Sequence, residues 1–235
     1  MEFRGWHKTS LIEYPDTIAT VVFTAGCNFR CRFCHNPELV LNNQQLPAVP
    51  QRAVLEFLAE RRGLYQALVV SGGEPTLHDD LPAFLSEVKR VGLLTGIETN
   101  GTNPEMLGRL IDTRTIDYVA MDIKTVPTYE AYPEVTRVDD PSLVDRVNAS
   151  IQLLLSASVV SEFRTTLVDR LHSQQVVRDI AQRIEGAKRY VLQQFVPRKS
   201  TLDCLDDQAR FPTQTLLRIR SEVASRFEAC EVRNL

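Results

Sequence analysis

The chain has 235 residues, 43% of them hydrophobic, with a formal net charge of -3 and a pI near 5.9. That length and composition support a sizeable core in one large α/β domain or two small ones, and the charge lacks the basic excess of a general nucleic-acid binder. No apolar run approaches the ~20 residues that span a bilayer, and residues 1–8 carry no apolar signal-peptide core, so the expectation is a soluble, cytoplasmic protein with no membrane and no nucleic-acid partner.

Short β-rich runs alternate with amphipathic ones, without internal repeats. Residues 17–25 (TIATVVFTA) are rich in β-branched side chains and predict a strand. Val54, Leu55 and Leu58 fall at helical spacing within 50–62. Residues 67–71 predict a second, buried strand. Asp80 is the expected N-cap of a helix whose apolar face is Leu81, Phe84, Leu85 and Val88. A strand over 93–99, a short helix over 104–111 and a strand over 118–123 follow. Leu143, Val147, Ile151 and Leu154 mark one side of a helix over 142–156. A strand over 159–167, a helix over 175–184, a strand over 190–195 and a helix over 213–227 complete the pattern. Six strands alternating with helices argue for parallel βαβ units, and six are fewer than the eight of a closed barrel. The expected fold is α/β, a partial (β/α)6 barrel with parallel strands. One domain, 1–235, would have its core over about 17–197 and a C-terminal extension over 198–235. Chemistry in such sheets collects at the C-terminal ends of the strands.

Three of the five cysteines lie within eight residues, as Cys27-Asn28-Phe29-Arg30-Cys31-Arg32-Phe33-Cys34, directly after the first predicted strand. An odd, clustered set in a cytosolic chain points to metal rather than to a disulfide framework. Three thiolates can hold three irons of a cubane and leave the fourth iron open to a substrate, since full ligation uses four cysteines. Zinc is the alternative: His35 follows Cys34, and Cys204 or Cys230 could add a ligand, although adjacent Cys and His do not easily reach one tetrahedral ion. The other polar groups of interest also follow strands. Ser71-Gly72-Gly73-Glu74-Pro75 closes the second, where paired glycines let a backbone approach a ligand or form an ordinary turn. Glu98-Thr99-Asn100-Gly101 ends the third. Asp122 and Lys124 end the fourth and share a face, as ligand groups or as a structural salt bridge. Arg164, in the fifth, shares a face with Glu162 and Thr166 and could pair with a carboxylate. Gln193 and Gln194 are polar in an otherwise apolar sixth strand and could be edge residues. Polar residues from separate segments thus converge on one end of one sheet.

Cys-x3-Cys-x2-Cys with Phe33 before the last cysteine resembles the radical S-adenosylmethionine superfamily. The resemblance implies a [4Fe-4S] cluster on Cys27, Cys31 and Cys34. Its open iron would chelate the amino and carboxylate groups of S-adenosyl-L-methionine, and reductive cleavage would give a 5′-deoxyadenosyl radical that abstracts a hydrogen. It also implies that Phe33 lies near the adenine, that Gly72-Gly73-Glu74 is the motif that meets the methionyl amino group, and that Arg164 could hold the methionyl carboxylate. The runs Lys8-Thr9-Ser10-Leu11-Ile12-Glu13-Tyr14-Pro15, Cys34-His35-Asn36-Pro37-Glu38-Leu39 and Leu192-Gln193-Gln194-Phe195 look like the activases of glycyl radical enzymes, particularly the anaerobic ribonucleoside-triphosphate reductase group, over about 8–197. In that group acidic and hydroxyl side chains can hold a monovalent cation beside the carboxylate, and Glu98, Thr99 and Asp122 occupy those positions. Glu98 stands where a shorter Asp is usual, and Asp16 where Gly is. The implied partners are a glycyl radical enzyme as protein substrate and a flavodoxin or ferredoxin as electron donor. A radical enzyme for a small molecule or nucleoside, and an activase of a formate-lyase-type partner, are the alternatives.

Overall fold

The computed structural model describes residues 1–41, 43–197, 201–203, 205–206 and 209–235. In chain order its elements are β1 (Glu2–Phe3), β2 (Gly5–Ser10), β3 (Ala19–Thr24), α1 (Pro37–Leu41), β4 (Val49–Pro50), α2 (Gln51–Glu60), β5 (Ala67–Gly72), α3 (Leu81–Val91), β6 (Leu94–Thr99), α4 (Pro104–Asp112), β7 (Tyr118–Asp122), α5 (Ala131–Thr136), α6 (Pro141–Ser156), β8 (Val160–Leu167), α7 (Gln174–Arg183), β9 (Arg189–Gln194), α8 (Thr213–Val223) and β10 (Ala229–Arg233). The main sheet runs β10-β9-β8-β7-β6-β5-β3-β2. The six strands expected from sequence are β3 and β5 to β9, and each pairs parallel with the next. β3 (ATVVFT), β5 (ALVVSG) and β7 (YVAMD) are legible as mostly apolar runs, while β6, β8 and β9 mix apolar positions with Thr, Glu, Arg and Gln.

The sheet is wider than expected. β2 adds antiparallel to β3, β10 adds parallel to β9, and β1 pairs with β4 in a separate two-stranded ladder. β2 (GWHKTS) is polar and half-exposed, so its alternation carries little strand signal, and β10 is short. Asp80 also behaves differently from its expected role. Its side chain makes no cap hydrogen bond to α3, and its carboxylate pairs instead with the Met1 ammonium at 2.7 Å. Asp16, where the resemblance expects glycine, adopts φ +54°, a left-handed turn conformation that Asp tolerates better than most residues. Among the described residues no helix is long and apolar enough to cross a membrane.

Register divides the sheet into two faces. Val22, Leu68, Val70, Ile97, Val119, Met121, Phe163, Leu167 and Leu192 point to the helices and form the main core with Leu85, Val88, Leu107, Val147 and Ile180. The opposite, concave face starts with small residues at its floor, Ala19, Ala67, Gly96 and Ala120, closed by Val21, Val69, Tyr14 and Tyr118. The Tyr14 and Tyr118 rings meet at 4.9 Å. Tyr14 arrives from the turn between β2 and β3, so that turn crosses the concave face rather than leaving it open along its whole length. Because Tyr118 is buried among these residues, Tyr118→Ala is expected to lower the unfolding free energy by about 3–5 kcal/mol, read from urea denaturation. A loss below about 1 kcal/mol would show that the floor is not a packed layer.

Candidate functional site

The cysteine loop, the Gly72-Gly73-Glu74 turn, Glu98-Thr99-Asn100 and the Asp122/Lys124 pair lie at the C-terminal ends of parallel strands β3, β5, β6 and β7, whereas the run 8–15 lies in β2 and the turn before β3; hydrogen bonds join the strand-end loops to one another. The cysteine loop leaves β3 and is fastened on two sides. Gly26 N–H donates to Leu39 O at 2.8 Å, and Arg30 and Arg32 N–H donate to Thr136 and Val135 carbonyls at 2.8 and 3.1 Å. The turn after β5 lies directly against it, since Gly73 N–H donates to Thr24 O at 3.0 Å and Glu74 N–H to Gly26 O at 2.8 Å. A methyl group on Gly73 would fall 1.8 Å from Gly26 O, and Gly72 holds φ +118°, so this approach needs glycine.

Glu74 is buried and points between the turns. Its carboxylate accepts from Thr76 N–H (3.0 Å), Thr76 Oγ1 (2.6 Å), Thr99 Oγ1 (2.7 Å) and Asn100 N–H (2.7 Å). Both oxygens accept hydrogen bonds from the protein itself. Burial raises the Glu74 pKa against those hydrogen bonds. Asn100 joins β6 to the cysteine loop. Its Nδ2 donates to Asn28 Oδ1 at 2.9 Å and approaches Cys27 Sγ at 3.8 Å, while Phe29 N–H donates to Cys27 Sγ at 3.4 Å.

Cys27, Cys31 and Cys34 take part in no disulfide among the described residues. Burial pushes Cys27 to about 11 and Cys31 to about 12, and raises Cys34. Lys124 places a cation beside Cys31 and Cys27. Burial works against that cation, and Asp122, which its Nζ meets at 2.7 Å, together with the thiols outweighs burial and raises the lysine pKa. Donor chemistry and cradle fit an iron-sulfur cluster: three soft ligands on one short loop, two N–H groups aimed at sulfur, and a cation to offset thiolate charge. Coordination deprotonates a thiol outright, which removes the cost of ionising these buried groups. Among the described residues no three Cys, His, Asp or Glu side chains converge as a single ion requires. Cys204 lies outside the described residues, and Cys230 is buried alone in β10.

Arg164 stands apart from a free ligand-binding cation. It is 4% exposed. Its guanidinium donates to Glu162, Glu98 and Tyr118 Oη and lies 3.5 Å from Glu13. Burial disfavours the charge, and Glu98 with the other anions more than offsets it. Glu98 also accepts from Ser71 Oγ at 2.5 Å. Burial opposes its ionisation, but Arg164 holds it near 2. Thr99 faces Glu74 rather than Asp122. Phe33 is buried with Val168, Phe195 and Leu205. Gln194 is no edge residue: its side chain grips both backbone groups of Phe211, at 2.7 and 3.1 Å. Arg32 pairs with Asp203 at 2.6 Å, joining the described part of the C-terminal extension to the cysteine loop, and Arg30 caps the Cys27 and Phe29 carbonyls. Asp206 also belongs to this extension, whereas Ser200 and Asp207 lie outside the described residues.

Glu13 is the residue that sequence reasoning passed over. It shares a hydrogen bond with Glu98, and burial followed by the Glu98 charge raises it to about 8. Its position in the polar run before the first strand carried no spacing signal toward residues in β6 and β8.

The profile of the Radical SAM superfamily matches residues 21–169. A protein of Methanocaldococcus jannaschii that carries the name putative glycyl-radical enzyme activating enzyme is 32% identical over 93% of this chain and 89% of its own length. The 7-carboxy-7-deazaguanine synthase of Halobacterium salinarum is 36% identical over 37% of this chain, a third (33%) of that protein. Among solved structures, Streptococcus suis SuiB bound to S-adenosylmethionine superposes with a TM-score of 0.71 at 15% identity, over 91% of this chain and 50% of SuiB.

The Glu13–Glu98 pair predicts a pH dependence. A carboxyl whose folded pKa lies above its unfolded value destabilises the fold as pH rises between the two. Glu13→Gln should therefore gain stability over the native chain progressively from pH 4.5 toward 8, the interval set by the raised Glu13 value, and level off above it. Denaturation midpoints at several pH values measure this, and parallel curves would contradict it.

Proposed function

The chain belongs to the radical SAM superfamily, an enzyme of the type that uses a [4Fe-4S] cluster and S-adenosylmethionine, and we propose that it activates a glycyl radical enzyme of the anaerobic ribonucleotide reductase kind. It would do so by removing a hydrogen atom from a backbone glycine of that partner. The observation that carries this reading is the similarity to a protein named as an activating enzyme, which runs nearly end to end in both chains.

The residues divide the work. Cys27, Cys31 and Cys34 would hold the cluster, three thiolates for four irons. Once bound, the cluster supplies an electron and S-adenosylmethionine the carbon-centred radical that takes the hydrogen. The protein binds, aims and shields. Asn100 and Phe29 direct N–H groups at the Cys27 sulfur, and Lys124 offsets thiolate charge. Backbone carbonyls of the Gly72-Gly73 turn are suited to the methionyl amino group, because Glu74 is spent on Thr76, Thr99 and Asn100. Asp122 is exposed enough, at 33% of its side chain, to receive a ligand or cation beside Lys124. Glu98 belongs less to a cation site than to Arg164. The sheet is not closed between β2 and β10, which leaves a side through which a peptide loop can reach the concave face. A flavodoxin or ferredoxin would deliver the electron.

The partial similarity to 7-carboxy-7-deazaguanine synthase favours a second reading, a small-molecule substrate, over a third of the chain only. One experiment separates them. Anaerobically reconstituted, dithionite-reduced protein is given S-adenosylmethionine, with a glycyl radical enzyme or with nucleosides, and 5′-deoxyadenosine and EPR spectra are recorded. The expected result is 5′-deoxyadenosine with a glycyl doublet on the partner polypeptide, both lost in Cys31→Ala. Product formation that responds to nucleosides and leaves no radical on any glycyl radical enzyme would replace the activase reading.

A further inference from the structure

His172 lies in the turn between β8 and α7, outside every motif named above. It is 1% exposed, and burial lowers its pKa, so the ring is neutral. Both nitrogens are committed. Nδ1 accepts from Val168 N–H at 3.0 Å, which leaves the proton on Nε2, and Nε2 donates to the Lys124 carbonyl at 2.8 Å. The edge of the ring meets Phe33, with centroids 5.9 Å apart and planes at 66°. One imidazole therefore touches the chain just past β7, the chain just past β8, and the cysteine loop one residue before Cys34.

The bonding pattern explains why an imidazole is used. β7 and β8 pair in register as far as Asp122 and Arg164, and Ile123 N–H still reaches Arg164 O at 2.8 Å. Beyond that point the two strands part, and a buried carbonyl and a buried N–H need partners. His172 supplies an acceptor to one and a donor to the other across a rigid ring, and so replaces the missing rung of the ladder. Lys124 is held by its backbone on one side and by Asp122 at its ammonium on the other.

We propose that His172 is a positioning residue that sets Lys124 and Phe33 relative to each other, and through them the shape of the S-adenosylmethionine site. The inference rests on the assignment of that site made above. A phenylalanine in its place keeps the ring against Phe33 and loses both hydrogen bonds, whereas a glutamine can restore a donor and an acceptor.

The test uses His172→Phe and His172→Gln beside the native protein. Three quantities are measured: bound iron per chain, the thermal midpoint, and the dissociation constant for S-adenosylmethionine from the change it causes in the EPR spectrum of the reduced cluster. The side-chain nitrogens of His172 are also observed by NMR in the diamagnetic, cluster-free protein between pH 5.5 and 8. The inference expects an Nε2–H tautomer that does not titrate over that range. It further expects His172→Phe to keep its iron and to bind S-adenosylmethionine about tenfold more weakly, the scale of one lost hydrogen bond, while His172→Gln recovers most of the affinity. His172→Phe with native affinity overturns the inference and leaves the site assignment standing, as does a protonated or Nδ1–H ring. Absence of binding by the native protein overturns both. If His172→Phe does not fold, His172→Gln and the tautomer decide: near-native iron and affinity in His172→Gln together with the Nε2–H tautomer support the inference, and either the other tautomer or a His172→Gln that keeps its iron yet binds S-adenosylmethionine about tenfold more weakly overturns it.

Discussion

A cation as buried as Arg164 survives only where anions surround it, because an unpaired charge in a protein interior costs several kcal/mol after relaxation. Its partners come from separate places: Glu98 from β6, Glu162 from its own strand, Glu13 from the turn before β3, with the Tyr118 hydroxyl from β7. The guanidinium is planar and presents its donors in a fixed fork, so it also fixes where those elements stand. The chain of charges continues outward, since Arg233 of β10 makes a two-pronged contact with Glu162 at 2.9 and 3.1 Å. The last strand is thereby tied to the middle of the sheet by side chains as well as by its ladder. The Glu13 turn is drawn over the lower concave face, where Tyr14 packs. An apolar layer of similar volume would be no less stable. What the ion network adds is a concave face that stays polar toward the strand ends, where the ligand groups lie.

The two faces of the sheet carry different duties because side chains alternate along a strand. Thr99 points to the helix side and helps to hold Glu74, while Glu98, its neighbour, points to the concave side and holds Arg164. One tripeptide, Glu98-Thr99-Asn100, thus supports the ion network, the glycine turn and the cysteine loop in turn. A loop brought close by hydrogen bonds to its neighbours needs little packing of its own. This accounts for the cysteine segment, whose backbone is fastened to 39, 135 and 136 on one side and to 73 and 74 on the other.

Much of this was legible in the sequence, for local reasons. β3, β5 and β7 are mostly apolar runs, and the cysteine spacing is complete within eight residues. The edge strands were not legible, because β2 shows water its polar residues and has no alternation to read. Arg164 was legible as either a carboxylate's partner or a ligand group, and the structure shows its ion pairs with Glu98 and Glu162; Glu74 bonds Thr76, Thr99 and Asn100, contacts that the motif alone does not report. Glu13, His172 and Asp203 acquire their roles through contacts 48 to 171 residues away along the chain — roughly the length of a domain in the last case — and no periodicity or short spacing reports such a pairing. Gln194 illustrates the same limit, since two polar residues in a strand give no hint that one of them clasps the backbone at Phe211.

The thiols bring the energetic argument together. Burial holds Cys27 near 11 and Cys31 near 12, so the folded loop keeps its protons at neutral pH. Cluster ligands must give those protons up, which makes assembly release protons and gain with rising pH. Lys124 lessens the cost because its charge lies beside Cys31 and Cys27, and Asp122 keeps that charge in place. Lys124 is in turn anchored by the carbonyl that His172 binds. The loop that bears the sulfur ligands is local in sequence, but the charge that makes it hospitable to a cluster is delivered by the end of β7, held in place from the far side of β8.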